Sequence, residues 1–325
     1  MNAARRASKT VTLAGLVLLF AASSSPQSAP SNASAAPTGT EKGIEPGSRI
    51  AGVIPGSIDD INAIGKRRIG GRGKGNWYSA DTENRMGKLY ADAINQSARF
   101  VTDPTVTDYV NRVGQKIVVN SDCKMPFTIR VIDSPQINAF SLPGGYLYVY
   151  AGLIQNAANE AELAGVMAHE IAHVCAHHAA REMTRLNYAQ FGAIPLVMAG
   201  GWSGVALAGG ADVAVPAAYV RFSRAFEAEA DYLGVQYMYL AGYDPQALIA
   251  YFERVQALAA SKPGAIAREF AGHSATSERI ARIRSEIVRI LPPREEHPVD
   301  AVELDAVKMR LAKIEKQRRE GVEEH

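Results

Sequence analysis

Apolar residues recur at three- and four-residue intervals along much of this chain, and each such stretch reads as an amphipathic helix. The spacing predicts one helix over residues 79–99 and a second over 104–119. A third, beginning after Asn159, is the most apolar. Asn159 offers an N-cap with Glu162 three positions on, and Leu163, Val166, Met167, Ile171 and Val174 follow at helical spacing. Between Gly165 and Ala176 the only Asp, Glu, Lys or Arg is Glu170, whereas a surface helix would carry several. This helix is therefore predicted to be buried.

Alternation replaces that period at Pro126-Phe127-Thr128-Ile129-Arg130-Val131-Ile132, a β-branched run that predicts a strand. A second strand is predicted over 146–150, after the Pro143-Gly144-Gly145 turn. Helical spacing returns from Ser223 through Leu233 and Tyr237 to Gly242, and again from Pro245 toward Leu258. In the charged tail, Leu304, Val307, Leu311 and Ile314 predict an amphipathic helix that docks on the body or on a partner. The pattern is α+β, mostly helical with a small sheet.

The N-terminal region reads differently. Arg5, Arg6 and Lys9 precede an apolar run over 11–22 and then small residues, which predicts a secretory signal; a retained membrane anchor is the alternative. The stretch 23–40 is rich in Ser, Ala and Pro, and 43–76 is Gly-rich with a basic segment around Lys66, Arg67 and Arg68. Together they predict a solvated linker, with attraction to acidic headgroups or to the protein body as the sharper reading. Residues 191–211 carry no charge, yet six glycines and Pro195 make them a poor membrane span. An apolar flap, or a surface contacting membrane or exposed hydrophobic substrate, is expected there. A net charge of +2 over 325 residues gives no argument for nucleic acid. The two cysteines, Cys123 and Cys175, could pair in an oxidising compartment; Cys175 fits a buried helix as a small apolar side chain, so free thiols are expected.

Candidate chemistry changes the picture most at His169-Glu170-Ile171-Ala172-His173. Imidazoles four positions apart on a helix lie about 40° apart in projection, so both reach one ion. Glu170, beside the first of them, is placed to accept a proton from metal-bound water. Catalytic zinc usually takes three protein ligands, so a third is expected downstream. Ser223-Arg224-Ala225-Phe226-Glu227-Ala228-Glu229-Ala230-Asp231 offers one. Glu227 and Asp231 share a helical face while Glu229 points away, which suits Glu227 as ligand and Asp231 as the acceptor that orients a ligand histidine. His177 and His178 are expected outside the ligand set, as supporting or surface groups.

These motifs resemble the HtpX-like and CAAX-prenyl-endopeptidase-like zinc metallopeptidases, a gluzincin family, and most closely its soluble periplasmic bacterial members. The resemblance runs over about residues 76–290, with 138–149 resembling the family's edge-strand segment. It implies one Zn2+ per chain on His169, His173 and Glu227, with Glu170 as general base and Asp231 behind the ligands. Gly272-His273-Ser274-Ala275-Thr276-Ser277-Glu278-Arg279-Ile280 resembles a further family segment near the active site, with Ser274 in place of its proline. Three roles stay open for His273: a fourth zinc ligand at rest, an oxyanion donor, or a loop histidine. Arg279 is expected to pair with the acidic helix.

The chain is thus expected to comprise a signal peptide (1–24), a linker (25–75), a zincin-like metallopeptidase domain (76–294) and a charged tail (295–325). An edge strand through Asn138, Ala139 and Phe140 would border the active-site helix and align extended polypeptide. The resemblance implies a periplasmic, or inner-membrane-anchored, metalloendopeptidase acting on unfolded or misassembled envelope proteins, with contact to a membrane surface as a further option. The rival is a self-inhibited protease, closed by His273, that works mainly as a chaperone or assembly factor.

Overall fold

The computed structural model describes residues 52–190, 222–261, 276–293 and 301–323. In chain order the elements are α1 (Ala80–Ser97), α2 (Pro104–Val118), β1 (Thr128–Ile132), β2 (Ala139–Leu142), β3 (Tyr146–Tyr150), α3 (Ala151–Asn156), α4 (Glu160–Cys175) and α5 (His178–Gln190). There follow α6 (Arg224–Leu240), α7 (Gln246–Ser261), α8 (Ser277–Ile290) and α9 (Ala301–Glu323). Helix starts are set by polar side chains that satisfy otherwise unpaired N–H groups. Ser79 accepts from Thr82, Asp103 from Thr105 ahead of Pro104, Asn159 from Glu162, Ser223 from Phe226 and Thr276 from Arg279. At α4 the Glu162 carboxylate turns back to the N–H of Ala158, at 2.8 Å, and Arg254 neutralises it at 2.5 Å.

The three strands form a mixed sheet in the order β1-β3-β2, with β1 parallel and β2 antiparallel to β3. Gly144 and Gly145, both at positive φ, close the β2–β3 turn in a conformation that side chains disfavour. β2 is thus an edge strand, and it lies against α4.

α4 is the centre of the molecule. It packs on α2, α6, α7 and β2, and Leu163, Ala164, Met167, Ala168, Ile171 and Ala172 are wholly shielded from solvent. α6 approaches it closely at Gly234, where an added Cβ would lie 3.3 Å from the backbone of His169. That approach carries the first turn of α6, with Glu227, to the histidines of α4. The tail helix α9 lies against α2 and α3 through buried Leu304, Val307 and Leu311. Among the described residues, no helix is long and apolar enough to cross a membrane. The leader, the apolar run 191–211 and His273 lie outside the described residues.

Two expectations differ from what is seen. Cys123 and Cys175 are not free thiols but a disulfide, with Cα atoms 4.6 Å apart. The packing of α2 against α4 brings the turn after α2 to the end of α4, a proximity that burial of one cysteine does not reveal. Likewise the Gly-rich segment around Arg67 is not a solvated linker where it is described. Arg67 is buried: its guanidinium reaches Asp122 at 2.6 Å, the carbonyl of Ile58 at 2.6 Å and Gln236 at 2.7 Å. Tyr237 donates a further hydrogen bond to Asp122 at 3.0 Å. Because both charged side chains are out of water, removing one strands the other. Asp122→Ala should therefore lower unfolding free energy by about 3–5 kcal/mol, read by denaturant titration; a loss below about 1 kcal/mol, the range of an exposed pair, would show that this bridge is solvated.

Candidate metal centre

The regular turn of α4 puts His169 and His173 one above the other, with ring centroids 4.6 Å apart and planes nearly perpendicular. Their Nε2 atoms converge to 3.0 Å. Glu227, from the first turn of α6, closes the third side, with carboxylate oxygens 3.6 Å from Nε2 of His169 and 3.4 Å from Nε2 of His173. All three side chains are buried, and their ligand atoms lie within 4.8 Å of one another. Among the described residues this is the one group of three or more His, Cys, Asp or Glu side chains able to hold a metal ion. Two imidazole nitrogens and one carboxylate are the donor set that zinc takes in hydrolytic sites, so the residues fit that ion.

Behind the ligands stands a second layer of charge. Asp231, fully buried one turn beyond Glu227, accepts from Nδ1 of His169 at 3.0 Å. Arg279, from the first turn of α8, grips the same carboxylate with two nitrogens at 2.6 and 2.7 Å and reaches Glu227 at 3.1 Å. Such a bidentate, charge-assisted pair fixes direction as well as charge. Burial works against an ionised Asp231, but Arg279 and the hydrogen bond from His169 outweigh it and hold its carboxyl below the ordinary range. For His169, burial and Arg279 both oppose a positive charge. Hydrogen bonds to Asp231 and Glu227 win and raise it to about 9. His173 goes the other way, because burial dominates and pushes it well below the usual imidazole range.

Glu170 lies on α4 between the two histidines and faces β2. The Ser141 hydroxyl is 3.1 Å from its carboxylate and 3.0 Å from its backbone carbonyl. Asn138, Ala139 and Phe140 lead into this point: the Asn138 carbonyl accepts from the N–H of Tyr150, Ala139 pairs with Val149, and Phe140 stacks on Tyr148. A shallow cleft lined by Glu83, Ser141, Leu142, Pro143, His173 and Phe222 among others opens beside this end of β2. Of the candidate site, His173 lines this cleft, together with Ser141, which contacts Glu170.

His178 belongs to the site more closely than its spacing suggests. It is fully buried, its Nδ1 is 2.8 Å from Nδ1 of His173, and its Nε2 is 3.3 Å from Glu229. A straight helix would carry it out of reach. The chain instead breaks at His177, which adopts φ 55°, and α5 starts in a new direction. His177 itself turns to Glu83, at 2.8 Å.

Comparison with known proteins agrees with this geometry. Residues 104–287 match the profile of Peptidase family M48. A beta-barrel assembly-enhancing protease of Escherichia coli is 32% identical over 253 residues, which cover 75% of this chain and 51% of that protein. The protein of the same name from Yersinia pestis is 32% identical over 232 residues, covering 68% and 46%. The mitochondrial metalloendopeptidase OMA1 of Schizosaccharomyces pombe is 33% identical over 225 residues, covering 66% and 64%. The chain spans about half the length of the two bacterial relatives.

Two outcomes test the centre itself. Glu227→Ala should abolish stoichiometric zinc binding, measured by elemental analysis after dialysis against limiting metal; full zinc content would place the third ligand elsewhere. Since His169 must give up its proton to a metal, zinc affinity should rise by about tenfold per pH unit from pH 6 to 8. A flat profile in chelator competition would contradict the raised pKa of His169.

Proposed function

The chain belongs to peptidase family M48, and on that premise we propose that it is a zinc-dependent metalloendopeptidase in which His169, His173 and Glu227 hold one zinc ion and Glu170 is the general base. The observation that carries this reading is the convergence of three buried ligand side chains with Glu170 adjacent on the same helix. When bound, zinc supplies the Lewis acidity that polarises the scissile carbonyl and lowers the pKa of the attacking water. Glu170 takes the proton from that water and hands it to the leaving amine. Ser141 fixes the orientation of the Glu170 carboxylate through its hydroxyl. Asp231 and Arg279 hold His169 and Glu227 in place, so the ligands do not have to be ordered when the metal arrives.

Substrate is aligned as an added strand along the outer edge of β2, which no strand pairs among the described residues, through backbone hydrogen bonds that read extension more than sequence. That mode suits unfolded chains, which offer exposed backbone. The targets proposed are misfolded or misassembled envelope proteins. Support comes from the relatives named as beta-barrel assembly-enhancing proteases and from the export-type N-terminal sequence. The corresponding location is the periplasm, with a retained inner-membrane anchor as the alternative. His273 is carried forward as the candidate that occupies or serves the fourth position.

Glu170→Gln separates the base from the metal site. The variant should retain zinc and lose cleavage of unfolded casein by about 10²–10⁴-fold. Cleavage at the parent rate would remove Glu170 from the mechanism.

A further inference from the structure

The surroundings of His173 determine where its proton must sit. Its Nδ1 and that of His178 are 2.8 Å apart. Two imidazole nitrogens at that distance share one proton, because two N–H groups would collide and two lone pairs would repel. An imidazole that offers Nε2 to a cation carries its proton on Nδ1. The shared proton therefore belongs to His173, and His178 accepts it through Nδ1. His178 then has its own N–H on Nε2, which lies 3.3 Å from Glu229. Arg181 pairs with Glu229 at 2.8 Å and also donates to the carbonyl of Ala176 at the end of α4, at 3.2 Å.

The rings have little freedom to abandon this chain of contacts. Phe222 stacks on His173, with centroids 4.1 Å apart and planes 18° from parallel, and Phe226 stacks on His178 at 4.6 Å and 19°. His178 has no solvent-exposed surface. A solvated surface histidine would need none of this.

We propose that His178 and Glu229 are positioning residues for the metal centre: His178 fixes the tautomer and ring plane of His173, and Glu229, anchored by Arg181, fixes those of His178. The two ligand histidines are then oriented by different devices. His169 meets a carboxylate directly, whereas His173 meets one through an intervening ring. This inference rests on the zinc reading above.

The test is zinc affinity of the full chain at one fixed pH, by chelator competition, together with the visible spectrum of the cobalt-substituted protein. His178→Leu removes the acceptor and should weaken zinc binding by about 10–100-fold and shift the cobalt bands. His178→Gln places a carbonyl acceptor and an N–H donor on one side chain, so it should restore most of the affinity and the parent spectrum. Equal losses in the Leu and Gln variants, or unchanged affinity in a folded Leu variant, would overturn the relay. Should the Leu variant fail to fold, Glu229→Ala, which removes the acceptor of the His178 Nε2–H, decides: weaker zinc binding with shifted cobalt bands supports the relay, and unchanged binding overturns it. A parent protein that binds no zinc would overturn the metalloprotease reading and the relay with it, whereas zinc in the parent with unaffected variants overturns the relay alone.

Discussion

The fold is organised around a cost: imidazoles and carboxylates are buried at the crossing of α4 and α6, where an unpaired charge would be strongly unfavourable. Arg279 is the group that makes this tolerable. Its guanidinium is buried against Asp231 and Glu227, and its own cation is stabilised there: burial opposes the charge, but the two carboxylates outweigh it. Ser223 and Thr276, as N-caps, start α6 and α8 where these side chains meet. Gly234 permits the close helix approach that the geometry requires. The same need for compensation recurs between the turn after α2 and α6, where Arg67 pairs with Asp122 and Gln236 and Tyr237 donates to Asp122.

β2 links the two halves of the proposed chemistry. Its outer edge is where substrate backbone would align, while Ser141 on the same strand contacts Glu170. A shift of the strand on substrate binding would therefore be felt directly at Glu170, the proposed base. The disulfide between Cys123 and Cys175 ties the far end of α4 to the turn after α2, so the helix carrying both histidines is held at its C-terminal end as well.

Much of this was legible in the sequence, for identifiable reasons. α4 announces itself through its Asn159 cap and its uninterrupted apolar period, and the spacing of His169 from His173 translates directly into one helical face. Asp231 was readable beside Glu227 for the same reason. What escaped depends on contacts between distant segments. A basic, Gly-rich stretch looks solvated whether or not an arginine in it is buried, and the partners of Arg67 lie 55 and 169 positions away. The Cys123–Cys175 pair required the packing of α2 on α4. For His178 the sequence left a supporting and a surface role open; the choice depends on a local event, the helix break at His177, which brings it back to His173.

The central claim is that one ion is held by the three converging side chains. Anomalous diffraction at the zinc edge from crystals of the zinc-loaded protein tests it most directly. The account predicts a single strong peak per chain at about 2.0–2.2 Å from Nε2 of His169, Nε2 of His173 and a carboxylate oxygen of Glu227. A peak coordinated by other residues, or none at this position in protein that carries stoichiometric zinc, would contradict it.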